Sequence, residues 1–224
     1  MKEMSEKEIA FIGKITAGVT HEINNALASI KEISGLMEDL LSMSSTDSFP
    51  HHEKFVKVVP KIREQVERCV TLTTQLNKFS HLTDEYTAQV ELNDFIGHLV
   101  FLTQRFARIK RVDLKYQPAD QSVKFSTIPI QLQMAIYYCI TYFLSHTDDG
   151  GKIIIHPFMN GEQYSIRIKY EGEVSDKTKL FNDSSSKEEL LILQDVISSL
   201  EGSAAFDGSV QSINLIFEVR QENN

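Results

Sequence analysis

From Ile12 to Leu40 the chain carries an unbroken apolar repeat: Ile12, Ile15, Val19, Ile23, Leu27, Ile30, Ile33, Met37 and Leu40. These residues follow each other at about 3.5-residue intervals, the period of a bundle or coiled-coil seam. A helix from about Glu6 to Met43 is therefore expected. Ser44 to Pro50 carries turn chemistry. A second stripe follows at Phe55, Val58 or Val59, Ile62, Val66, Cys69, Leu72 or Thr73, Leu76, Phe79 and Leu82. Pro60 lies inside it and should kink the helix or mark its first turn. Two long helices joined by a short loop make an antiparallel hairpin. Two helices alone bury such seams poorly, so a homodimeric four-helix bundle is expected.

After about Ala88 the texture changes. A short strand is expected near Gln89–Leu92 and a helix from Asn93 to Lys110. Strands should follow at Val112–Gln117 and Ser122–Phe125, and Pro129 opens an apolar helix ending near His146. Asp148-Asp149-Gly150-Gly151 reads as a turn. Lys152–Met159 and Gln163–Tyr170 flank Asn160-Gly161, a strong hairpin signal. Ser184–Ser186 with Glu188 and Glu189 reads as a capping box opening a helix to Leu200. A last hairpin covers Ser203–Phe206 and Ser212–Val219, with Asp207-Gly208 at its turn. The expected fold class is α+β: residues 1–87 as the helical hairpin, residues 88–224 as an α/β sandwich with helices on one sheet face.

Composition narrows the function. The 224 residues carry 23 Lys+Arg and 31 Asp+Glu, a net charge of −8. An acidic chain is a poor candidate for nucleic-acid binding. Cys69 and Cys139 lie far apart in apolar patterns, with no metal spacing, which fits a reducing cytoplasm. No apolar run reaches the length of a membrane span, and the mixed-charge N-terminus is no signal peptide. The two segments account for all 224 residues, so no sensor, membrane anchor or receiver is expected within them.

The chemistry concentrates at Gly13-Lys14-Ile15-Thr16-Ala17-Gly18-Val19-Thr20-His21-Glu22-Ile23-Asn24-Asn25-Ala26-Leu27-Ala28-Ser29-Ile30. His21 is two residues from Val19 and from Ile23, hence turned about 200° from both, toward solvent. Asn25, one turn on, should share that face with Ala17, Gly18 and Ala28. A histidine on a strip of small side chains admits a reactive group from a partner. Glu22 can take a proton from one imidazole nitrogen and leave the other nucleophilic. Asn25 can orient the carboxylate or an incoming phosphoryl group. That set suits reversible phosphorylation at nitrogen. A zinc site of His-Glu-x-x-His type is excluded, because position 25 is Asn.

This segment resembles the H-box of two-component histidine kinases and histidine phosphotransferases, departing at Ala26, where many members have proline. The resemblance implies that residues 1–87 are a dimerisation and histidine-phosphotransfer domain. Residues Val90 to Val219 resemble the family's ATP-binding module in layout. Its nucleotide chemistry is not matched. Aligning Gln133 with the family's glutamine puts Tyr137 and Thr141 where asparagines hold Mg²⁺ and phosphates. Tyr170-Glu171-Gly172-Glu173-Val174-Ser175-Asp176 stands where Asp-x-Gly-x-Gly should read adenine, with Glu171 a weak substitute. Ser184-Ser185-Ser186-Lys187-Glu188-Glu189-Leu190 stands where glycines should let backbone N–H groups approach phosphates.

The resemblance therefore implies a cytoplasmic phosphotransferase-type protein that exchanges a phosphoryl group between His21 and response-regulator aspartates. Glu22 is expected as acid/base partner and Asn25 as positioning group. No cofactor or metal is expected on this chain; Mg²⁺ should belong to the receiver. Two alternatives stand beside this: a divergent kinase with residual autokinase activity, and a non-catalytic protein that sequesters a kinase or regulator. His51, His52, His81, His98, His146 and His156 read as surface or cap histidines. Tyr137, Tyr138, Tyr142 and Phe143 read as packing beneath a vacated nucleotide site. Arg105, Arg108, Lys110 and Arg111 read as a solvated helix end.

Overall fold

The computed structural model describes residues 2–42, 52–121, 123–146, 150–161, 163–173 and 187–218. Two helices open the chain, α1 (Lys2–Ser42) and α2 (His52–Ser80), followed by a single 3₁₀ turn. Then come β1 (Ala88–Glu91), α3 (Leu92–Ile109), β2 (Asp113–Tyr116), β3 (Lys124–Thr127) and α4 (Pro129–His146). The chain continues as β4 (Lys152–Asn160), β5 (Gln163–Glu171), α5 (Lys187–Ser199), β6 (Gly202–Asp207) and β7 (Ser212–Glu218). The fold is α+β, a helical hairpin and an α/β sandwich. The expected turn at 44–50, Asp148-Asp149 and the capping serines 184–186 lie outside the described residues.

The chain divides into two compact units, one of Met1–Lys14 with Leu82–Asn224 and one of Ile15–His81. In the hairpin unit Ile15, Val19, Glu22, Ala26 and Leu40 of α1 are buried, with Leu72 and Phe79 of α2. This inward face differs from the expected stripe at Leu27, which is 51% exposed while Ala26 is buried. The sequence steps from Val19 to Ile23 to Leu27 are two successive fours. Each advances the helix about 40° beyond a full turn, so Leu27 drifts off the seam. Pro60 lies well inside α2, not in its first turn.

In the larger unit a five-stranded sheet runs in the order β2-β4-β5-β7-β6. Only β2 and β4 pair in parallel. Side chains alternate, so Ile153 and Ile155, Ile166 and Ile168, and Ile213 and Leu215 all point to the buried face. Asn160-Gly161 closes the β4–β5 hairpin, with Gly161 at φ +63°, a backbone conformation glycine adopts without strain. α4 is apolar almost all round and packs on α3, α5 and β5. β3 begins two residues later than expected, because its register is set by pairing with β1, Glu91 opposite Lys124 and Ala88 opposite Thr127.

The first turns of α1 belong to this unit. Lys7 Nζ is 2.9 Å from Asp195 Oδ2. Gln131 Nε2 donates to Glu8 Oε1 at 2.8 Å, and Ser199 Oγ donates to Gln131 Oε1 at 2.6 Å. Phe11 is fully buried, its ring 5.1 Å from that of Tyr137. No helix among the described residues is long and apolar enough to cross a membrane.

Candidate functional site

The site stands on the middle of α1. His21 and Asn25 are exposed, as their helical phase requires, and so are Ala17 and Ala28. Gly18 is not: it is buried, contrary to the expectation. At 100° per residue it lies only about 60° from the centre of the inward face, so the hairpin covers it. Asn25 Nδ2 and His21 Nδ1 are 3.1 Å apart, a hydrogen bond one turn along the helix. With Nδ2 donating, the imidazole proton sits on Nε2. Half a turn of the amide instead presents Oδ1, which accepts from Nδ1–H and leaves the Nε2 lone pair facing outward.

Glu22 faces a different way. Its phase carries it into the inter-helical side, where it is 8% exposed. There Arg68 Nη2 of α2 donates to Glu22 Oε2 at 2.6 Å. At the next residue of α2, Cys69 Sγ approaches the Ile23 carbonyl at 3.9 Å. The structure thus pairs His21 with Asn25 and Glu22 with Arg68. Arg68 had no place in the sequence reading. Forty-six residues separate it from Glu22, and only the register of the hairpin brings the two together.

Tyr137, Thr141 and Glu171, the residues expected at the family's nucleotide-contact positions, each engage groups of the protein itself. Tyr137 is buried, its ring 5.1 Å from Phe11, 5.8 Å from Phe106 and 5.8 Å from Tyr138. Thr141 Oγ1 donates to its own helix, at 3.1 Å to the Tyr137 carbonyl and 3.2 Å to that of Tyr138. Tyr142 and Phe143 are buried too, as expected, and Tyr142 stacks on His146 at 4.5 Å. Glu171 accepts from Lys169 Nζ at 2.9 Å, and that bond holds its carboxyl below the usual range. Gly172 lies against the Tyr170 ring so closely that a Cβ there would collide with it. Tyr170 OH donates to the Gly150 carbonyl at 3.0 Å, and its ring stacks on Phe143. Of the loop expected at 184–190, residues 184–186 lie outside the described residues.

Two other histidines lie against backbone carbonyls. His146 Nδ1 lies 2.9 Å from the Tyr142 carbonyl and His156 Nδ1 3.2 Å from that of Gln117. Among the described residues no three His, Cys, Asp or Glu side chains gather in a metal-binding group. Cys69 and Cys139 are free, and burial pushes the Cys139 thiol pKa up.

No family model matches the chain. Among curated proteins it is 28% identical over 172 residues to the sensor histidine kinase ZraS of Escherichia coli (strain K12). That match covers 76% of this chain and 35% of ZraS. It is 23% identical over 237 residues to the signal transduction histidine-protein kinase AtoS of the same strain, covering 100% of this chain and 38% of AtoS. The chain spans about a third of the length of the curated relatives it matches. Among solved structures, the catalytic domain of histidine kinase ThkA aligns at a TM-score of 0.49 and 15% identity, over 60% of this chain and 97% of that one. These sequence similarities are all to histidine kinases.

Proposed function

We propose that this protein is a cytoplasmic histidine phosphotransfer protein, exchanging a phosphoryl group between His21 and response-regulator aspartates without binding ATP in the family's usual way. The observation that carries the reading is the exposed His21–Asn25 pair on a helix flank lined by Ala17 and Ala28. In the step, the His21 Nε2 lone pair attacks the phosphorus of an aspartyl phosphate. A P–N bond forms, the acyl P–O bond breaks, and the receiver's carboxylate leaves with the electron pair. Asn25 orients the ring through Nδ1, and once that bond opens the Nδ1 proton passes to Glu22 through one water. Mg²⁺ belongs to the receiver's acidic site, where it balances phosphoryl charge.

Two further features support the reading. Tyr137, Thr141 and Glu171 are each engaged within the protein at positions aligned with nucleotide contacts. The hairpin also carries an uncovered aliphatic flank. Val56, Val59, Val66 and Val70 fall within about 80° on α2, and all are exposed. Leu27 lies on the same flank of the hairpin, while His21 and Asn25 lie on the other. A second copy of this chain covering the aliphatic flank would leave His21 open to a receiver. Free thiols at Cys69 and Cys139 suit the reducing cytoplasm in which this exchange would run.

The sensor kinases among the relatives favour a second reading, a divergent kinase that phosphorylates His21 from ATP. One experiment separates the readings. Radiolabelled phospho-receiver and, separately, Mg-ATP labelled at the γ-phosphate are incubated with wild type and with His21→Ala. Label passing from the receiver to wild type alone supports phosphotransfer. Label passing from ATP to His21 supports the kinase. Binding of the receiver by both proteins with transfer to neither supports sequestration.

A further inference from the structure

The Glu22–Arg68 pair joins the two helices beside the histidine. The Glu22 side chain is 10% exposed and that of Arg68 42%. A carboxylate at that depth, left alone, is driven toward its neutral form by desolvation. A guanidinium never deprotonates, and its planar fork fixes a carboxylate in orientation as well as charge. Helical phase places Arg68 on the same flank of the hairpin as His21, with Glu22 between them. Arg68 is hydrogen-bonded to Glu22; the exposed Glu64 stands one turn before Arg68 on α2, and His21 adjoins Glu22 in sequence on α1.

We propose that Arg68 is a positioning residue for phosphoryl exchange at His21: it clamps Glu22 as an ionised carboxylate beside the histidine, ready to take the imidazole proton. The proposal rests on the phosphotransfer reading above. Attack by Nε2 forms the P–N bond and breaks the bond from phosphorus to the donor atom, which departs with the electron pair. Once the Asn25 bond to Nδ1 opens, the Nδ1 proton moves to the Glu22 carboxylate, and reverse transfer returns it. Arg68 touches neither phosphorus nor imidazole in this scheme.

The sign of the pH effect follows. Arg68 favours ionised Glu22, so removing it raises the pH at which Glu22 gains a proton. Transfer that needs the ionised form then fails at higher pH than in wild type. The test uses the full chain and phosphoramidate, a small donor that needs neither ATP nor a receiver. Initial rates of phosphohistidine formation are followed by intact mass from roughly pH 5 to pH 9, the range in which histidine itself titrates, with His21→Ala as site control. Arg68→Ala is expected to slow labelling about tenfold near neutrality and to move the acid limb upward. Arg68→Lys should restore most of both, and Arg68→Gln neither. In a Glu22→Gln background, Arg68→Ala should change nothing further. An acid limb unmoved in Arg68→Ala and Arg68→Gln, with wild type labelled at His21, overturns the proposal alone. No label on wild-type His21 removes the phosphotransfer reading and the proposal with it. If Arg68→Ala is unfolded by circular dichroism, the Lys and Gln variants decide.

Discussion

Two glutamines two residues apart on α4 meet opposite fates. Gln131 is bonded at both ends of its amide, to Glu8 and to Ser199. Gln133 is wholly buried, and neither its Oε1 nor its Nε2 has a hydrogen-bond partner. Each orphaned polar atom costs on the order of 1–3 kcal/mol, whereas an apolar side chain of similar shape costs none of this. Gln133→Met should therefore raise the free energy of unfolding by about 1–3 kcal/mol, read as a higher urea midpoint at unchanged m-value. A lower midpoint would show that the amide is satisfied in solution. Sequence could place both glutamines on one helix. It could not say which amide found partners, because those partners come from α1 and α5. The same holds at the candidate site. The exposure of His21 and Asn25 follows from helical phase, but the fate of the Glu22 carboxylate depends on Arg68, 46 residues away.

Local elements were the most legible. α4 runs from Pro129 to His146 as expected, because a proline start and an apolar run are both local signals. The β6–β7 hairpin is another case, and its turn has a titratable pin. Asp207 Oδ1 accepts from Ser209 Oγ at 2.6 Å, Ser209 N at 2.9 Å and Val210 N at 3.3 Å. These bonds, the Ser209 hydroxyl first, hold the Asp207 carboxyl below its usual range. A depressed carboxyl stabilises the fold above its unfolded-state pKa and loses that contribution as pH falls through the folded-state value. Asp207→Ala should accordingly be less stable than wild type near neutrality, with the gap narrowing as the solution is acidified below the carboxylate range. Urea midpoints of both proteins across that range test this, and a gap independent of pH would refute it. The β1–β3 ribbon was less legible. Two neighbouring strands, β2 and β3, invite pairing with each other, yet β2 joins β4 and β3 joins β1. Pairing choices of that kind depend on what the intervening helices cover.

At the scale of the molecule, the division of the chain falls within α1. Residues 1–14 pack with α4 and α5 through Lys7, Glu8 and Phe11. The uncovered valines of α2 belong to the other unit and bear on assembly. Val66 and Val70 are 45% and 59% exposed, an arrangement that isolated soluble helices avoid in rows. Wild type should scatter light as two chains at micromolar concentration. Val66→Asp with Val70→Asp should scatter as one, while Thr71→Asp, on the flank that carries His21, should leave the mass unchanged. A wild-type mass of one chain would remove the dimer.

The sequence by itself determined the two long helices, the α+β class, and the outward aim of His21 and Asn25. These follow from spacing within a few turns of chain, where backbone geometry leaves little choice. Tertiary structure alone decided that Ala26 and not Leu27 meets the hairpin interior, and that Gly18 is covered. It also decided that Glu22 is held by Arg68 and that Phe11 seats on Tyr137. Each of these depends on how one element is rotated and shifted against another, which is set by packing of side chains distant in sequence.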